Sequence, residues 1–176
     1  MLDKARSAND VKAIAKLCAE NPDDFQYVLS CLRENGKSAS MVAWVLGHAV
    51  ELNPLILMPS HYDILIQTAL KSKTGGVKRN IVRIWQLVEI PNDRICEIVD
   101  ITLKYLNGAN EDIAVKAFSI TVLQHCLKYI PELQEEIIFI LEKDMPQASP
   151  AYVHRAKKLL KFAEKLDRAR QIGRKN

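Results

Sequence analysis

The sequence predicts an all-α chain, a right-handed α-α superhelix of about four helix pairs closed by a C-terminal capping helix. Similar helix openings recur at Val11-Lys12-Ala13-Ile14, Met41-Val42-Ala43-Trp44, Val77-Lys78-Arg79-Asn80, Val115-Lys116-Ala117-Phe118 and Val153-His154-Arg155-Ala156, with starts 30, 36, 38 and 38 residues apart. A proline follows each of the first four after 11 to 16 residues: Pro22, Pro54, Pro91 and Pro131. No segment alternates apolar and polar residues with a strand's period of two.

The elements follow in order. Each first helix of a pair (A helix) should stop before its proline, at Asn21, Asn53, Ile90 or Ile130, because a residue preceding proline is pushed out of the α region. Second helices (B helices) are expected in 22–35, 60–73, 92–107 and 132–145. Their buried seams read Tyr62, Leu65, Ile66, Ala69 and Leu70, then Ile95, Ile98, Val99, Thr102 and Leu106, then Leu133, Ile137, Ile140 and Leu141. This is the spacing of a helix with one apolar face. Met41 to Leu52 and Ile113 to Ile130 are apolar nearly all round, as helices sandwiched between neighbours must be. The last helix, from about residue 150, has one stripe of Val153, Ala156, Leu159, Leu160, Ala163 and Leu166 and a charged opposite face. Loops are short: Asn35-Gly36-Lys37-Ser38, Thr74-Gly75-Gly76 and Asn107-Gly108, with Gly36 suited to a left-handed helix cap. Asn53 to Ser60 is the longest irregular piece, and Leu55, Ile56 and Leu57 are expected to pack beneath it. The sequence predicts one domain over 1–176, with repeats starting near 11, 41, 77 and 115.

Composition excludes several classes. The 176 residues are 48% hydrophobic and 26% charged, enough apolar surface for a core and too much for a disordered chain. No apolar run is long enough to span a membrane, and MLDKARSAND lacks a signal-peptide core, so a cytoplasmic protein with reduced thiols is expected. Cys18, Cys31, Cys96 and Cys126 form no CxxC and read as small core residues. Charge is uneven: residues 154–176 carry nine bases and two acids, and the rest of the chain sums to −3.

The 36–38-residue period, the proline between paired helices and the Val-Lys opening resemble HEAT repeats from residue 11 to about 166. A 36–38-residue unit leaves little room for the third helix of armadillo repeats, and the Trp-Leu-Gly-Tyr pattern of tetratricopeptide units is absent. AWVLGHAVELNP, VKRNIVRIWQLVEIP and VKAFSITVLQHCLKYIPEL are similar to a small bacterial family of single-domain HEAT-like proteins. Some such chains carry the name adenylosuccinate lyase, but the Gly-Ser-Ser-x-Met-Pro-x-Lys-x-Asn loop of true lyases does not occur here. HEAT-like DNA glycosylases grip a duplex with a concave face, normally lined by B helices, and have a Trp-Trp-Asp stretch. In this chain Trp44 and Trp85 stand alone, and the B segments hold 12 acids against six bases. Nucleic acid is therefore disfavoured as a partner for the body of the chain.

The resemblance implies a non-catalytic scaffold that binds another protein through its B-helix surface. Glu97, Asp100, Glu135, Glu136 and Glu142 are the expected contacts to a basic or amphipathic partner. The alternative is nucleic-acid association through the basic terminal helix, with Lys157, Lys158, Lys161 and Lys165 meeting phosphates. Lys78, Arg79 and Arg83, with Lys116 in register with Lys78, could hold an anion or form a solvated edge. Trp44, Trp85 and Phe118 read as core, and Asn80 as a polar link between repeats. His48, His61, His125 and His154 have no partners at metal- or triad-like spacing. No phosphate loop, dinucleotide fingerprint or nucleophile elbow occurs, so no cofactor, metal or enzyme activity is expected.

Overall fold

The computed structural model describes residues 7–32 and 38–173. Among these there are nine α-helices and no strand: α1 Ala8–Glu20, α2 Pro22–Leu32, α3 Ala39–Leu52, α4 Tyr62–Lys71, α5 Gly75–Leu87, α6 Ile95–Asn107, α7 Ile113–Cys126, α8 Gln134–Asp144 and α9 Pro150–Gly173. The expected A-B alternation and terminal helix are present. Arg33, Glu34, the Gly36 cap, Arg174 and Lys175 lie outside the described residues. Chain contacts form two compact units, Met1–Ile98 and Val99–Asn176, and the division falls inside α6.

In the first unit α3 packs closely against α1 and α5, while α2 and α4 meet more sparsely. Two glycines permit the close approach of α3 and α5. A Cβ on Gly47 would stand 3.4 Å from Asn80 Oδ1, and one on Gly76 only 3.0 Å from Ser40 Oγ. Asn21 and Asn53 take extended backbone and end α1 and α3, as X-Pro sterics require. Asn53 does more, because its Nδ2 donates to the Ala19 carbonyl at 2.8 Å and ties its turn to α1, the first helix of the preceding repeat. α5 ends at Leu87, ahead of Ile90, so proline is not what stops it.

Packing corrects several sequence expectations. Trp85 is fully buried, but Trp44 is only half-buried. Leu55 is 90% exposed and Leu57 half-buried; only Ile56 turns inward. Leu70 leaves the α4 seam for solvent, and Cys96 is exposed rather than packed.

His61 is buried against Phe25, with ring centroids 5.4 Å apart, and its Nδ1 accepts from the Met58 N–H at 3.2 Å. Its Nε2 has no hydrogen-bond partner among the described residues. Burial holds the imidazole pKa below its usual value, as it does for His125, where Lys128 adds to the effect. Both groups take up a proton at lower pH in the folded chain than in the unfolded chain, which does so near about pH 6.5. Stability is therefore full above that pH and declines as pH falls through it. The urea midpoint is expected to be lower at about pH 5.5 than at about pH 7.5, with a shallower dependence in His61→Gln.

In the second unit α9 lies along α7 and touches α8, burying Tyr152, Ala156, Leu159 and Ala163. Val153, Leu160 and Leu166 of the predicted stripe are half-buried. α7 ends at Cys126, four residues before Ile130, whose N–H still donates to the Cys126 carbonyl at 3.0 Å. The predicted α6 seam is buried throughout, although Leu133 before α8 is only half-buried.

Candidate functional site

The acidic side chains expected to meet a partner are all exposed: Glu97 and Asp100 on α6, and Glu135, Glu136 and Glu142 on α8. They differ in how far they are neutralised. In the first unit Arg94 gathers three carboxylates, Asp63 at 2.9 Å, Glu97 at 3.3 Å and Asp93 at 3.4 Å, so Glu97 is already engaged. In the second unit Asp100, Glu135, Glu136 and Glu142 form no ion pair among the described residues. α8 places its acids on the outer face because Gln134, Ile137, Ile140 and Leu141 occupy the inner one. Phe139 sits among them and is 69% exposed. It falls off the Leu133-Ile137-Ile140-Leu141 seam, a signal available in the sequence.

The smaller basic set is dispersed. Arg83 bonds Glu51 of α3, and His48 approaches the same carboxylate at 3.1 Å. Burial alone would raise the Glu51 pKa, but Arg83 and His48 hold it below the usual carboxylate range. Lys78 is half-buried, while Arg79 is exposed beside a cleft of about 300 Å³ that Trp44 and Asn80 also line. Asn80 donates to the Gly76 carbonyl of its own helix at 2.8 Å, not across repeats. Lys116, the register partner of Lys78, lies 3.8 Å from Asp144, which also accepts from the Tyr152 hydroxyl at 3.3 Å. These contacts tie α7, α8 and α9 together and leave little free charge.

α9 presents the opposite picture. Lys157, Lys158, Lys161 and Lys165 are exposed and none forms an ion pair among the described residues. Arg155 instead turns inward, bonding Thr121 and covering the Phe118 ring at 4.8 Å. Phe118 is thereby half-buried under a cation. Sequence periodicity gave no sign of that pairing across 37 positions.

Among the described residues no group of three or more His, Cys, Asp or Glu could hold a metal ion. Burial and Asp24 push Cys18 up to about 11, and burial pushes Tyr62, whose hydroxyl donates to the Glu89 carbonyl at 3.1 Å, up to about 12. No helix of the described residues is long and apolar enough to cross a membrane.

The model of the HEAT repeat domain matches residues 1–162. Comparison with curated proteins and with solved structures finds no match.

Proposed function

The chain belongs to the HEAT-repeat family, whose members generally act as protein-interaction scaffolds rather than catalysts, and from that premise we propose that it binds a protein partner through its B-helix surface. The observation that carries this reading is the set of unneutralised acids of the second unit, Asp100 on α6 and Glu135, Glu136 and Glu142 on α8; Glu97, in the first unit, is a separate candidate already engaged by Arg94. An array of unpaired carboxylates favours partners of opposite charge and steers their approach. No cofactor enters the reading. Changing Asp100, Glu135, Glu136 and Glu142 together to Lys is expected to remove the proteins captured by the wild-type chain from its native cell, as read by mass spectrometry. Unchanged capture sinks the proposal. These side chains are exposed, so the urea midpoint should hardly move.

The four exposed lysines of α9 support a second reading, association with nucleic acid. Phosphate contacts release counterions, so such binding falls steeply with salt. Lys157, Lys158, Lys161 and Lys165 changed to Glu should abolish any low-salt mobility shift of DNA or RNA. An unshifted wild-type chain ends this reading. Charge reversal is the right test here, because truncation after Pro150 would also uncover the surfaces that Leu159 and Ala163 bury.

A further inference from the structure

We propose that Phe139 is the anchor of the α8 surface, and that its occupant is a basic amphipathic segment that covers the ring and pairs with the carboxylates around it. This rests on the scaffold reading and adds to it both a residue and the partner's chemistry.

The argument starts from helix geometry. Residues three and four apart are neighbours on a helix surface. Phe139 therefore has Glu135 and Glu136 on one side and Glu142 and Lys143 on the other, all exposed. The inner face of α8 is taken by Ile137, Ile140 and Leu141, so the ring cannot turn inward without displacing them. Single exposed aliphatic residues are ordinary. What sets Phe139 apart is a 69% exposed aromatic ring flanked by three carboxylates, Glu135, Glu136 and Glu142, that form no ion pair among the described residues.

Two unfavourable terms coincide there. Aromatic area stands in water, and the like charges of Glu135, Glu136 and Glu142 share the outer face of α8. One ligand relieves both: an apolar side chain over the ring, with Lys or Arg at the flanking positions. An aromatic centre with a charged rim is also the layout of binding hot spots. A nucleic acid is repelled by the same carboxylates. The basic α9 face of a second copy would match the charge but not the ring, because its apolar side chains Leu159 and Ala163 are buried.

The test uses the full chain and a fluorescent synthetic helix of roughly 20 residues, Leu on one face and Lys on the other. Anisotropy should report binding that weakens with salt. Phe139→Ser should weaken it about tenfold or more, and Glu135→Lys with Glu142→Lys should abolish it. A Leu/Glu peptide of the same pattern should not bind. Unfolding midpoints of the variants near wild type show that the fold is intact. The proposal is overturned if Phe139→Ser binds as tightly as wild type, if the acidic peptide binds equally, or if sedimentation shows that the wild-type chain buries Phe139 by self-association. Loss of cellular partners on charge reversal, together with a silent Phe139→Ser, would leave the scaffold reading standing and remove the anchor alone.

Discussion

Trp85→Ala is expected to lower stability by about 3–5 kcal/mol, read as a fall in urea midpoint with little change in slope. Trp85 is the largest fully buried side chain, on the inner face of α5 with Ile81, Val82 and Ile84. Removing its two rings leaves a cavity in a close-packed core, which the surrounding side chains can fill only in part. Trp85→Phe should cost much less. It keeps most of the apolar volume and removes an indole N–H that has no hydrogen-bond partner. A midpoint unchanged by the Ala variant would mean that α5 presents a different face to the core.

Phe25→Ala is expected to cost a similar amount, about 3–5 kcal/mol. Phe25 is 1% exposed on α2 and lies over the His61 ring, so its loss opens space beside the unpartnered Nε2. Water entering there would hydrate the imidazolium and bring its pKa back towards the ordinary value. Two effects should therefore appear together: a lower midpoint at neutral pH and a flatter loss of stability on acidification. A lower midpoint with an unchanged pH slope would show that some other group keeps His61 dry.

Much of this architecture was legible because it is written in local rules. Asn21-Pro22 and Asn53-Pro54 end helices through sterics confined to one peptide unit, and the α6 seam follows from helical periodicity alone. What the sequence could not give depends on distant neighbours. Whether Leu55 or Leu70 is covered is decided by side chains tens of residues away. Arg94 has Asp93 and Glu97 as local partners, but its third carboxylate, Asp63, is 31 residues away and is brought to it only by the fold. Arg155 sat within a run of bases but spends its charge on Phe118 and Thr121. Charge sums describe a helix; they do not say which charges are left over. Phe139 was the exception, since its place outside the seam was readable from spacing.

One consequence concerns Cys96. Cys18 and Cys126 are shut inside the protein and Cys31 is partly shielded, whereas Cys96 opens to solvent one residue before Glu97. Maleimide dyes should attach there first, on the same helix as Asp100, without any engineered handle. The native chain thus carries its own reporter position at the edge of the acidic face, and a ligand arriving on α6 should change that dye's emission.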